Sequence, residues 1–123
     1  MSKRKLVAVV DDDESVRESL PDLLRSFDFE VVAFGSAEEF LASESVARTA
    51  CLVLDVAMPG MTGPELQQAL IDQGKAIPIV FITAYSDDEV LPRLLRRGAV
   101  ACLIKPFNET AILQALTAAL EAE

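Results

Sequence analysis

The chain has 123 residues, 51% of them hydrophobic, with 20 acidic against 11 basic side chains and a formal net charge of -9. That length suits one domain, residues 1–123, with one core, and the acid excess argues against direct binding to nucleic-acid phosphates or to an anionic membrane surface. Histidine is absent, which removes Ser-His-Asp and Cys-His nucleophiles and makes a zinc site a poor expectation.

The first apolar run, Lys5 to Val10, is valine-rich and stops at Asp11. Val16, Leu20, Leu23, Leu24 and Phe27 then repeat at helical spacing. Asp13 is placed to cap that helix, and Pro21 falls inside the pattern, where a kink is expected. Glu30 to Phe34 reads as a second strand, and Ser36 caps a short helix over residues 37–42 with Glu38 and Glu39 near its positive end. The third strand, Ala50 to Leu54, stops at Asp55. The turn-rich MPGMTG segment follows, and Pro64 opens a helix that ends near Gln73 and Gly74.

Ile77 to Ile82 is the fourth strand, closed by Thr83. Ser86 caps a helix that begins Asp87-Asp88-Glu89 and ends in the basic turn Arg96-Arg97. Val100 to Ile104 is the fifth strand and stops at Lys105. Pro106 breaks the chain, Asn108 caps, and Glu109 to about Leu120 forms the last helix. Short apolar strands alternating with helices predict an α/β fold, a parallel sheet covered on both faces with all strand carboxyl ends along one edge.

Four of the five strands end in a reactive side chain: Asp11 with Asp12, then Asp55, Thr83 and Lys105. Ligands bind outside the carboxyl ends of such strands, where strand order reverses. Two like charges about 4 Å apart repel by about 4 kcal/mol at an effective dielectric of 20. The acids therefore call for a cation. Lys105 supplies one charge, and a hard divalent ion, magnesium or else manganese, would supply the rest. That set has the parts for phosphoryl transfer, with Asp55 as nucleophile and Lys105, Thr83 and backbone amides on the phosphoryl oxygens. Each residue has an ordinary reading alone: a cap, a loop acid, a strand-end hydroxyl, a solvated cation. Their joint placement on separate strands is what points to chemistry.

At these residues the chain resembles the response-regulator receiver domains of bacterial two-component signalling. The marks are VVDDD (Val9 to Asp13), LVLDVAMPGMTG (Leu52 to Gly63), FITA (Phe81 to Ala84) and LIKPF (Leu103 to Phe107). The stretch MPGMTGPELQQAL is similar to the receivers of FixJ-type transcription regulators. The resemblance implies a flavodoxin-like, doubly wound, five-stranded parallel sheet in the order 2-1-3-4-5. It implies phosphorylation on Asp55 by a phosphohistidine on a sensor histidine kinase or phosphotransfer protein. It implies a magnesium site from Asp12, Asp55 and the backbone carbonyl of Ala57, with Asp11 behind them. Thr83 and Lys105 become the switch hydroxyl and the phosphoryl-contacting lysine, and the Lys105-Pro106 peptide is expected to be cis.

One position departs from the family pattern. The aromatic switch residue three places before the lysine is here Cys102, which cannot swing as a ring does. Tyr85 is a candidate replacement, and Ala57 and Tyr85 flank the phosphoryl site as candidate modulators. The readout face is expected on the fourth helix, fifth strand and fifth helix, where Arg93, Arg96 and Arg97 would face Glu109 and Glu121 across a homodimer. The chain carries no DNA-binding domain, so it is expected either to stand alone or to be a piece of a transcription regulator.

Two further expectations complete the reading. No signal peptide and no run near the ~18 apolar residues of a membrane span is visible, so a cytoplasmic protein is expected, with Cys51 and Cys102 as reduced, buried thiols. The enzyme alternative is a haloacid-dehalogenase-type phosphatase, whose nucleophile motif Asp11-x-Asp13 mimics. That family places its nucleophile on the first strand and needs a longer, capped chain, so a phosphoacceptor domain is preferred to an enzyme.

Overall fold

The computed structural model describes residues 4–84 and 89–121. Within them, strands and helices alternate: β1 (Leu6–Val10), α1 (Glu14–Ser26), β2 (Glu30–Phe34), α2 (Ala37–Ala42), β3 (Thr49–Asp55), α3 (Gly63–Asp72), β4 (Ile79–Thr83), α4 (Val90–Arg96), β5 (Ala101–Ile104) and α5 (Glu109–Glu121). Every strand pairing is parallel, and the order is β2-β1-β3-β4-β5. This is the flavodoxin-like architecture expected above.

Strand periodicity divides the core into two halves. Ala8, Val10, Leu52, Leu54, Ile79 and Phe81 point to one face and pack with Phe40, Leu66, Leu70 and Leu94 from α2, α3 and α4. Their alternates Val7, Val9, Cys51, Val53, Val80 and Ile82 point to the other, against Leu20 and Leu24 of α1 and Ile112 and Leu116 of α5. Strands β1 and β4 are buried along their whole length. The edge strands differ from the expected two-sided burial: β2 and β5 are largely half-exposed, because each lacks a neighbour on one side.

The caps follow the local chemistry. Asp13 Oδ1 accepts from Ser15 N at 2.9 Å, Ser36 Oγ from Glu39 N at 3.1 Å, and Asn108 Oδ1 from Ala111 N at 2.7 Å. Helix α1 continues through Pro21 to Ser26. A reciprocal capping box, Thr62 with Glu65, starts α3 one residue before Pro64. Strand β4 begins at Ile79 rather than Ile77, since Pro78 has no N–H to add to the ladder. Residues 44–48 form a short 3-10 turn that the sequence pattern did not announce. The expected cap Ser86 and the acids Asp87 and Asp88 lie outside the described residues, and α4 starts at Val90.

Candidate functional site

The site sits where strand order reverses. Strand β1 is flanked by β2 on one side and β3 on the other, and its successive crossovers leave to opposite faces. The main chain continues the ladder past β1, with Asp11 N donating to Phe34 O at 3.1 Å. Asp11 and Asp12 thus stand beside Asp55, the last residue of β3. One carboxylate oxygen from each of the three lies within 4.8 Å of the others.

Each acid has a different environment. Asp11 is fully buried. Its Oδ1 accepts from Asp13 N at 2.9 Å and its Oδ2 from Lys105 Nζ at 2.8 Å. Asp12 is exposed and faces solvent. Asp55 is only 5% exposed, with Oδ2 4.0 Å from Lys105 Nζ. Lys105 reaches both because its own N donates to Thr83 O at 2.7 Å, which fixes the end of β5 beside that of β4.

Electrostatics at this edge are strained. Burial and the neighbouring charge of Asp11 push the Asp55 carboxyl up to about 7, against the opposing pull of Lys105. Burial works against the Lys105 ammonium, but the hydrogen bond and charge of Asp11, with the charges of Asp55 and Asp13, outweigh it and raise its pKa. Three carboxylates facing one ammonium leave a charge deficit that a divalent cation with oxygen ligands would fill. The donor set fits such an ion: three hard oxygens, one of them on an exposed side chain.

Thr83 is buried at the end of β4, one residue beyond the Asp55–Ile82 pairing. Ala57 is exposed, two residues past Asp55. Tyr85 lies outside the described residues. Cys102 is half-buried rather than fully buried. It packs on the α2-α3-α4 face, with Sγ 3.9 Å from the carbonyl of Leu91, and burial pushes its thiol up. Cys51 is a buried thiol outside any disulfide. The Lys105-Pro106 peptide is cis, as expected.

Sequence reading missed three supporting residues. Arg17 Nη1 donates to the main-chain oxygen of Asp11 at 3.0 Å. Gly63, the first residue of α3, lies so close to Asp55 that a Cβ there would sit 2.3 Å from the Asp55 carbonyl oxygen. Glu38 reaches across from α2 to the loop after Asp55. Gly63 entered the sequence reading only as part of a turn-rich segment and Glu38 only as a first-turn acid of its helix, and neither supporting role was legible there.

Lys105→Met is expected to destabilise the metal-free protein by about 2 kcal/mol near neutral pH. Removing one member of a buried pair costs about 3–5 kcal/mol, and the partial exposure of the Lys105 side chain lowers that cost here. Because the Lys105 pKa is raised, its contribution is complete below its ordinary value of 10.5 and is lost only above that. Urea unfolding measures the loss, and a stability equal to the parent's would mean that Asp11 does not depend on this cation.

Acids from two adjacent strands thus meet a lysine from beyond the edge strand at one carboxyl edge of the sheet. The response regulator receiver domain matches the chain over residues 7–117. The chain belongs to that family. Nodulation protein W of Bradyrhizobium diazoefficiens is 47% identical over 120 residues, covering 98% of this chain and 53% of that protein. Among solved structures, response regulator StyR superposes with a TM-score of 0.89 at 48% identity, over 98% of this chain and 61% of that one. FixJ-N superposes with a TM-score of 0.87 at 37% identity, over 100% and 98% of the two chains. The receiver spans about half the length of the curated relatives it matches. As a receiver, it is a signalling domain of two-component regulation, and its acidic pocket suits a metal ion. No helix among the described residues is long and apolar enough to cross a membrane.

Proposed function

We propose that this receiver accepts a phosphoryl group on Asp55 from a phosphohistidine of a sensor kinase or phosphotransfer protein. The observation that carries the reading is the meeting of Asp11, Asp12 and Asp55 oxygens within 4.8 Å, with Lys105 Nζ 2.8 Å from Asp11 and 4.0 Å from Asp55. In the transfer, an Asp55 oxygen bonds to phosphorus as the phosphorus–nitrogen bond breaks, and the donor imidazole leaves with the electron pair. Asp55 must be ionised to attack, so the cations that pull against its raised pKa are part of the chemistry.

Magnesium, with manganese as a substitute, would be held by Asp12, Asp55 and the carbonyl of Ala57, with Asp11 behind them. It would neutralise charge on the phosphoryl oxygens. Lys105 and Thr83 would bind the remaining oxygens. A groove of about 500 Å³ opens beside Lys105 and Asp13 and runs between α1 and the start of α5, lined by Leu20, Leu23 and Phe107. It gives a donor protein room to approach.

Phosphorylation adds about -1.5 to -2 charges at the sheet edge. We assign the response to the α4-β5-α5 surface, where Leu95, Ile104 and Leu113 are 45%, 42% and 37% exposed. A homodimer through this face would cover them, with Arg93 and Arg96 toward Glu109 and Glu121. Arg97 is otherwise engaged, donating to Gln68 Oε1 at 2.6 Å. The relatives TdiR and FixJ are named as transcriptional regulatory proteins, so the output we propose is transcription control by a DNA-binding domain outside this chain. Use of Asp13 in a dehalogenase-type site is disfavoured, since its carboxylate already caps α1.

Incubation with acetyl phosphate and magnesium is expected to add the mass of one phosphoryl group, and Asp55→Ala to add none. Intact-mass spectrometry reads the result. Unchanged phosphoryl incorporation in Asp55→Ala would move the acceptor elsewhere and end the reading.

A further inference from the structure

The loop after Asp55 is tied down at both ends. Val56 N donates to Ile82 O at 3.0 Å, and Gly63 N returns to Val56 O at 3.0 Å. Between these ties, residues 57–62 cross exposed surface, with Met58 alone buried beneath. One long-range side chain meets the middle of this loop. Glu38 Oε2, from the first turn of α2, accepts from Met61 N at 3.2 Å.

A second observation shows how closely the carboxylate lies on the loop. Gly60 has φ 72, and a Cβ built on it would fall 2.6 Å from the same Glu38 oxygen. The loop therefore takes a left-handed turn at the residue over which Glu38 lies, and glycine is the residue that tolerates it. Helix α2 is itself held firmly. Ser36 caps it, Glu39 Oε2 accepts from Gly35 N at 3.1 Å, and Phe40 is buried edge-on to Phe34 with ring centroids 5.6 Å apart.

We propose that Glu38 is a positioning residue for the metal and phosphoryl site. It ties the Asp55 loop to α2 and so holds the main chain that bears the Ala57 carbonyl. This inference rests on the function proposed above, because it gives the loop a metal to bind. The tether works through an acceptor oxygen, not through charge. Glu38 is exposed, and a further negative charge near the pocket would by itself only strengthen cation binding by a screened, salt-dependent amount. Glutamine keeps the oxygen and loses the charge, whereas alanine loses both.

Magnesium binding to the unphosphorylated protein, measured by calorimetry at about 0.15 M salt, separates these effects. Glu38→Ala is expected to weaken the affinity about three- to tenfold, below the usual 10–100-fold for supporting residues because the bond is exposed. Glu38→Gln should stay within about twofold of the parent. The Met61 amide should exchange its hydrogen faster in Glu38→Ala and at close to the parent's rate in Glu38→Gln. Gly60→Ala, whose methyl would displace the carboxylate, should reproduce the weaker affinity while leaving Glu38 in place. Equal affinity in parent and Glu38→Ala, or equal losses in Ala and Gln, would overturn the tether. A parent that binds magnesium but takes up no phosphoryl group would overturn the proposed function and leave the tether standing.

Discussion

Gly63→Ala is expected to cost about 3 kcal/mol of stability, the largest loss from adding one methyl group near the site. The methyl carbon would lie 2.3 Å from the Asp55 carbonyl oxygen, 3.1 Å from its carbon and 3.1 Å from Cε1 of Phe81. None of these can step aside cheaply. Phe81 is fully buried and Asp55 nearly so. Relief must come from withdrawing the start of α3, which breaks the Gly63 N to Val56 O bond, or from turning the Asp55 peptide. Overpacking alone costs about 1–3 kcal/mol, and the lost hydrogen bond adds about 1 kcal/mol. Urea unfolding should show a midpoint lower by about 1–2 M with an unchanged slope. A shift within error would mean that the loop has slack that its backbone bonds do not suggest.

Asp55→Asn should do the opposite, stabilising the metal-free protein at about pH 8 while removing the nucleophile. Burial first, and then the charge of Asp11, lift the Asp55 carboxyl from 3.8 to about 7. The folded protein thus keeps a proton that the unfolded chain releases between those values. This group's contribution to stability is complete below about pH 4, falls as pH rises through about 7, and is level above. The fall is on the order of 2–4 kcal/mol at about 1.4 kcal/mol per pH unit of difference. Asparagine has no such proton, so its stability should lose that slope. Its melting temperature near pH 8 should exceed the parent's by on the order of 5–10 °C. Magnesium should reverse the order, since it binds the ionised acids of the folded parent and gains from rising pH. Melting curves with chelator and with magnesium, from about pH 5 to 8, test both signs. A parent whose metal-free stability climbs with pH in that range would place the strained charge on another group.

The features legible in the sequence were those set by short-range pattern. The unbroken apolar run from Lys5 to Val10, against the helical spacing of Val16 to Phe27, placed β1 and α1. The capping side chains of Asp13, Ser36 and Asn108 placed helix starts to the residue. Strand-terminal Asp11, Asp55, Thr83 and Lys105 followed from where apolar runs stop. The resemblance had already set Asp11 behind Asp12, but the pairing of Asp11 with Lys105 needed coordinates, because neighbouring residues on a strand end point opposite ways. The supports Arg17, Glu38 and Gly63 were equally hidden. Each acts on main-chain atoms 6, 23 or 8 positions away, and main-chain atoms leave no residue type to read. Edge-strand exposure depended on strand order, which local pattern does not contain.

The closeness of Gly63 to Asp55 also bears on the direction in which a disturbance at the phosphoacceptor can travel. On one side, Asp55 abuts the start of a ten-residue helix with a reciprocal cap, an internal backbone bond and no spare volume. That side behaves as an anvil. Helix α4, packed on the same sheet face, is seven residues long and has one fully buried residue, Leu94. A phosphoryl group on Asp55, as proposed above, would press against a wall that cannot yield, so any accommodation would have to come from elsewhere than α3.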